Sequence, residues 1–197
     1  MFGRKKRQLF IETIGSPSLK KPAEPIAEVN DAVRELAAFM ITSMKRFNGI
    51  GIAAPQIGRG VRMVVIDVPA DSMGDDPSPG EKALIPRMPL VLINPELTAF
   101  STEICRRDEG CLSVPEIWGE VERPAKVTLR SLTLEGDVVE YECGGLLARC
   151  LQHEVDHLNG ITFIDRMDKV AYAKVEVKVK NLRREGGRNN YRRVVKD

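Results

Sequence analysis

His153-Glu154-Val155-Asp156-His157 contains both histidines of this 197-residue chain. The run reads H-E-x-x-H, two potential metal ligands four positions apart with a carboxylate between them. On a helix, residues four apart share a face, so both imidazoles can reach one cation. The intervening glutamate is close enough to handle a proton of a water activated by that cation. No other histidine exists to complete the ligand set, so a Cys, Asp or Glu must do so. The pattern is short and also arises on ordinary amphipathic helices. Here the flanking residues are apolar on most sides. Burying two imidazoles and a carboxylate without partners costs several kcal/mol, and a metal removes that cost.

Two further stretches carry chemistry. In Glu109-Gly110-Cys111-Leu112-Ser113-Val114-Pro115, a cysteine between Gly and Leu is by itself an ordinary small buried hydrophobe. Its thiolate is also a strong ligand for Zn(II) or Fe(II), and a Cys-His-His set leaves one tetrahedral position open, as a catalytic metal requires. The stretch Gly49-Ile50-Gly51-Ile52-Ala53-Ala54-Pro55-Gln56 superficially matches a dinucleotide fingerprint. That fingerprint needs a strand before it and a helix after it. Here the order is reversed and Pro55 follows at once. An exposed extended backbone fits better. Gly51 lets a substrate chain lie close and pair through main-chain hydrogen bonds, and Gln56 offers an amide donor near a reacting carbonyl.

These groups must be positioned by a small set of elements. Ile26, Val29, Val33, Leu36, Met40, Met44 and Phe47 recur at steps of three and four, which predicts an amphipathic helix ended by Asn48-Gly49. Val61 to Val68 reads as a buried strand. Leu90 to Asn94 and Leu97 to Cys105 are further strands. Ala125 to Arg130 and Val138 to Cys143 form an antiparallel pair joined through Glu135-Gly136-Asp137. Gly144 to Asn159 reads as a helix stopped by Gly160, apolar over most of its circumference and therefore central. The segment up to about residue 24 reads as irregular, and 69–89 as a charged surface loop. A last helix is expected from about Asp168 into Leu182, weakened by β-branched Val175, Val177 and Val179. Beyond Glu185 the chain is expected to fray.

Composition sets the frame. The length suits one domain with a real core, here 1–197 with a basic extension from about 168. Aromatic residues make up only 5%, which disfavours a base-stacking nucleic-acid surface and sequence-specific nucleic-acid binding. The net charge of +2 is modest, but both ends are basic, from Arg4-Lys5-Lys6-Arg7 and from Lys174 onward. Such runs are ordinarily solvated termini. The four cysteines, Cys105, Cys111, Cys143 and Cys150, lack the spacing of a secreted disulfide framework. With no signal-like or membrane-spanning apolar run, the expectation is a cytoplasmic protein without a membrane partner.

Gly49 to Gln56, then Glu109 to Ser113, then Gln152-His153-Glu154-Val155-Asp156-His157-Leu158 resemble the three signature motifs of the peptide deformylases, in family order. The similarity runs from roughly Ile11 to Asp165. It implies an α+β fold, with mixed or antiparallel sheets packed around a central metal-bearing helix. It also implies an enzyme that hydrolyses the formyl group from the N-terminal formylmethionine of new polypeptides, releasing formate in a bacterial-type cytoplasm.

Carried over by position, the resemblance makes Cys111, His153 and His157 the metal ligands and Glu154 the general base and acid. Gln56 and the Leu112 N–H become oxyanion donors, and Gly51 a backbone partner of the substrate. Ile50, Leu146 and Cys150 fall where the family lines its methionine pocket. Fe(II) is implied as the native ion, with Zn(II), Ni(II) or Co(II) as substitutes. The stretch Glu116-Ile117-Trp118-Gly119-Glu120 lacks an arginine that many bacterial members carry, whereas Arg123 matches a later family arginine.

Two rival readings exist. A zinc endopeptidase would use Glu176 as a downstream ligand but leave Cys111 idle. An inactive homologue would bind only ribosomes or formylated peptides. The basic residues Lys174, Lys178, Lys180, Arg183, Arg184, Arg188, Arg192 and Arg193 suggest a transient ribosome contact.

Overall fold

The structure, a computed structural model, describes residues 9–188 and 191–194. In chain order its elements are β1 (Phe10–Glu12), α1 (Asp31–Arg46), β2 (Gly51–Ala53), β3 (Met63–Ile66), α2 (Pro79–Leu84), β4 (Leu90–Phe100) and β5 (Ile104–Cys111). There follow β6 (Val114–Pro124), β7 (Val127–Leu132), β8 (Val138–Cys143), α3 (Gly145–Leu158), α4 (Phe163–Arg166), α5 (Lys169–Arg188) and β9 (Arg192–Val194). Short 3₁₀ turns link several of them.

The main sheet runs β2-β3-β4-β7-β8 with every neighbouring pair antiparallel. Alternation along each strand sends successive side chains to opposite faces. Met63, Val65 and Ile93 meet Ala37, Met40 and Met44 of α1 on one face. Val64, Ile66, Leu92 and Leu129 meet Leu147, Leu151 and Leu158 of α3 on the other. The apolar periodicity that begins at Ile26 enters the helix proper only at Asp31. The Asn30 side chain accepts the Val33 N–H at 3.2 Å and fixes that start. Asn48, at φ 57°, turns the chain out of the helix.

A second sheet, the β5–β6 hairpin, covers the opposite side of α3. Val114, Ile117 and Val121 of β6 pack with Phe163 and Ile164 of α4 and Val179 of α5. Helix α3 therefore lies between two sheets, and every residue from Leu147 to Leu158 is buried. The α+β class and the central helix expected from the sequence are both present, as is the β7–β8 pair.

Several segments differ from their sequence reading. The 69–89 segment contains α2, which buries Gly80, Glu81 and Leu84. Ser78 caps it, binds Glu81 at 2.7 Å and accepts the Gly144 N–H at 2.9 Å, so this segment braces the start of α3. Its charges concealed a short capped helix. The leading segment contributes β1, and its Ala23 N–H caps the other end of α3 by donating to the Leu158 carbonyl at 2.8 Å. The strand expected from Leu97 to Cys105 is divided between β4 and β5, and β6 was not expected at all.

The C-terminal segment differs most. Helix α5 continues to Arg188 because Val175, Val179 and Leu182 pack against the β6 layer, and that burial outweighs their modest helix penalty. Beyond it, instead of fraying, Arg192–Val194 pairs antiparallel with β1. The Arg192 guanidinium lies 4.4 Å from the Phe10 ring centroid and binds Glu12 at 3.0 Å.

Candidate active site

Cys111 ends β5 and pairs with Val114 across a turn made by Leu112 and Ser113. His153 and His157 stand on successive turns of α3. The ligand atoms of Cys111, His153 and His157 all lie within 4.8 Å of one another. The Cys111 Sγ is 3.2 Å from His157 Nε2. The imidazole centroids are 5.0 Å apart. A soft thiolate with two imidazoles on one small volume fits a borderline divalent ion such as Zn(II) or Fe(II). Glu176, the alternative ligand of an endopeptidase reading, lies on α5 and pairs with Lys180 at 2.8 Å.

The surrounding polar groups are aimed at this volume. Gln56 sits in the 3₁₀ turn Ala54–Ile57 after β2. Its Oε1 accepts the Ala53 N–H at 2.7 Å, which forces the amide NH₂ the other way. That NH₂ lies 3.2 Å from Ser113 Oγ and 3.5 Å from Cys111 Sγ. Glu154 is buried, and its Oε2 has no hydrogen-bond partner among the described residues. Burial pushes its pKa up to about 7, against the pull of His153 and with a further push from Glu109. A carboxyl poised near neutrality can both accept and return a proton. Gly51 passes directly beside it. A Cβ there would overlap the Glu154 carboxylate and stand 2.8 Å from the Cys150 sulfur.

A buried charge network holds the histidine helix to the cysteine strand. His153 Nδ1 is 2.9 Å from Glu109 Oε2. Donation to that carboxylate fixes the tautomer and leaves Nε2 for a metal. Glu109 also accepts Arg123 Nε at 2.6 Å, Arg123 Nη2 at 2.9 Å and Arg149 Nη1 at 2.6 Å. Burial alone would raise the Glu109 pKa. The hydrogen bonds from Arg123 and His153 override it and hold the group well below the usual carboxylate range. Arg123 continues to Asp156 at 2.8 Å, which also accepts Arg166 at 2.6 Å. Burial, reinforced by the charges of His153 and Arg123, keeps the His157 pKa well below its ordinary value, so that ring stays neutral.

Sequence reasoning assigned no role to Glu109, Arg149 or Asp156. The available signal was the charge itself: Arg149 and Asp156 stand in a helix that is otherwise read as apolar and central.

The site forms one wall of a cavity of about 410 Å³. Ile50, Leu146 and Cys150 line it, as do Gly51, Leu112 and Trp118. The methionine-pocket residues expected from the sequence therefore share one cleft with Cys111, His153 and Glu154, while His157 is buried behind them. Trp118 is 67% exposed and lies across Gly110, where a Cβ would stand 2.8 Å from its ring. The hairpin bulges between Val114 and Trp118, with Glu116 at φ 62°. A larger groove of about 810 Å³ lies between α1 and the β1–β9 pair and, among the described residues, contains no such metal-ligand cluster. Among the described residues, all four cysteines are free, and no helix is long and apolar enough to cross a membrane.

The comparisons agree with this geometry. The sequence pattern of the family described as Polypeptide deformylase matches residues 9–172. Peptide deformylase 2 of Gloeobacter violaceus is 45% identical over 163 residues, covering 83% of this chain and 81% of that protein. The peptide deformylase of Acinetobacter baumannii is 39% identical, covering 90% and 93% respectively. Among solved structures, the peptide deformylase of Thermotoga maritima superposes with a TM-score of 0.70 at 35% identity, covering 82% of this chain and 99% of that one. The Synechococcus elongatus enzyme, solved in complex with actinonin, gives 0.75 at 31% identity, covering 91% of each chain.

Fold and site thus define an α+β hydrolase of a metal-dependent class. The chain belongs to the polypeptide deformylase family.

Glu109→Ala would leave two guanidiniums buried without their shared carboxylate. Chemical denaturation should show a loss of about 3–5 kcal/mol in unfolding free energy. A loss below about 1 kcal/mol would show that Arg123 and Arg149 do not depend on Glu109.

Proposed function

We propose that this chain deformylates the N-terminal formylmethionine of new polypeptides, with Cys111, His153 and His157 holding one divalent cation. The observation that carries the reading is the convergence of that ligand set within 4.8 Å, with Cys111, His153, the buried Glu154 carboxyl and the Gln56 amide lining one cleft. When bound there, a divalent cation supplies Lewis acidity to water and to the formyl carbonyl. Fe(II) is the proposed native ion, with Zn(II), Ni(II) and Co(II) as substitutes, since all accept thiolate and imidazole ligands.

The protein groups then divide the work. Glu154 removes a proton from the attacking water and later delivers it to the leaving amine, giving formate and a free N-terminus. The Gln56 NH₂ and the Leu112 N–H donate to the developing oxyanion, and a donor of this kind is worth roughly 3–4 kcal/mol. Gly51 presents its backbone to the peptide. Register alternation supports this role. Ile50 accepts the Asp67 N–H toward β3, so the polar groups of Gly51 point to the open edge of β2. Ile50, Leu146 and Cys150 form an apolar, polarisable receptacle for methionine.

The described residues are read as one catalytic domain, acting in a cytoplasm of bacterial type. The ribosome is its proposed transient partner. Lys174, Lys178, Arg183 and Arg184 are exposed along α5, which supports an electrostatic contact with RNA phosphates.

Two experiments test this. Formate release should be rapid from a formyl-Met peptide and negligible from acetyl-Met, because the confined site favours the smallest acyl group. Glu154→Gln should retain the metal and lose turnover by about 10²–10⁴-fold. Comparable rates on the two acyl peptides, or a loss below about tenfold in the variant, would contradict the assignment. Separately, charge reversal at Lys178, Arg183 and Arg184 should leave short-peptide turnover intact. Ribosome binding should weaken, with a salt slope reduced by about one for each phosphate that is no longer neutralised. An unchanged affinity and slope would identify α5 as a solvated face only.

A further inference from the structure

The C-terminal strand reaches the substrate cleft. Arg192 and Arg193 are neighbours on β9 and point to opposite faces. Arg192 turns to Glu12 and Phe10, whereas Arg193 lines the cavity that Cys111, His153 and Glu154 also line. The Arg193 guanidinium carbon lies 5.3 Å from the centroid of the Phe47 ring, also a cavity residue. The ring fixes the cation without neutralising it. Arg193 is exposed, and no ion pair engages it among the described residues.

The direction of β2 places this cation relative to the substrate. Gly51, the first residue of β2, lies beside Glu154, and the chain before it leads back through Ile50, Gly49 and the Asn48 turn to Phe47 at the end of α1. A peptide paired along that edge advances about 3.3 Å per residue. With the formyl group beside Glu154 and methionine against Ile50, the residues that follow methionine run past Gly49 toward Phe47 and Arg193, which line the same cavity. The facing wall, from the β5–β6 hairpin, carries exposed Asp108 and Glu116 with Trp118. The cleft mouth therefore has one cationic and one acidic wall.

We propose that Arg193, held on Phe47, is a specificity-determining residue that favours an acidic side chain at the third position of the formylated peptide. The proposal rests on the deformylase reading of the same cleft. A stacked guanidinium offers several N–H donors to a carboxylate, whereas a lysine at that position faces like charge.

The test uses formyl-Met-Ala-Asp and formyl-Met-Ala-Lys, both as C-terminal amides so that no terminal carboxylate interferes. The readout is the ratio of their kcat/KM values, which does not depend on the fraction of active protein. The unmodified chain should prefer Asp by about fivefold at low salt, the range of exposed ion pairs, and the preference should shrink as salt rises. Arg193→Ala should bring the ratio near one, Arg193→Glu should invert it, and Arg193→Lys should retain part of it. Arg192→Ala removes the same charge from the same strand and should leave the ratio as in the unmodified chain.

A preference for Lys or for neither, an unchanged ratio in Arg193→Ala, or an equal change in Arg192→Ala would overturn the proposal. No formate from any formylated peptide would instead overturn the deformylase reading itself.

Discussion

Helix α3 is buried along its whole working length, and one carboxylate makes that tolerable. Glu109 accepts hydrogen bonds from Arg123, Arg149 and His153 in a dry interior. It lies two residues before Cys111 on β5, so it ties the strand that carries the thiol to the helix that carries the imidazoles. Isolated charges at this depth would be untenable. Joined, they leave no freedom in how the ligand set is spaced. Arg149 extends the clamp by donating to the backbone carbonyls of Val121 and Cys105, at 3.2 and 2.6 Å. The two sheets are thus connected through the helix between them.

The chemistry of the site follows from the same dryness. Desolvation lifts the Glu154 pKa toward neutrality and keeps His157 neutral. Only glycine fits at position 51, where a side chain would displace the Glu154 carboxylate. The cleft is open toward the β2 edge and closed toward α3. A peptide can lie along that edge while its end reaches the buried ligands.

The parts of this architecture that repeat regularly were legible in the sequence. Central helix α3, the α1 stripe and the β7–β8 pair follow from regular apolar spacing. The site was legible because His153, Glu154 and His157 lie within one turn and a half of helix, and because the Cys111 and Gln56 motifs resemble a known family. The remainder depended on contacts between distant positions. Nothing local marks Ser78 as the partner of the Gly144 N–H, or Arg149 as a ligand of Glu109. Strand β9 has three residues, two of them arginines, and owes its order to β1 and to the Glu12 and Phe10 side chains. Val175 and Val179 weaken a helix in isolation and secure α5 through burial against β6.

The central claim is that Cys111 and the two histidines of α3 bind a single cation together. Titration of the metal-free protein with Co(II), followed by optical absorption, tests it most directly. The account predicts saturation at one equivalent, intense d–d bands of a low-coordinate ion and a sulfur-to-cobalt charge-transfer band that disappears in Cys111→Ser. Tight one-equivalent binding without the charge-transfer band, or the same spectrum and affinity in Cys111→Ser, would contradict it.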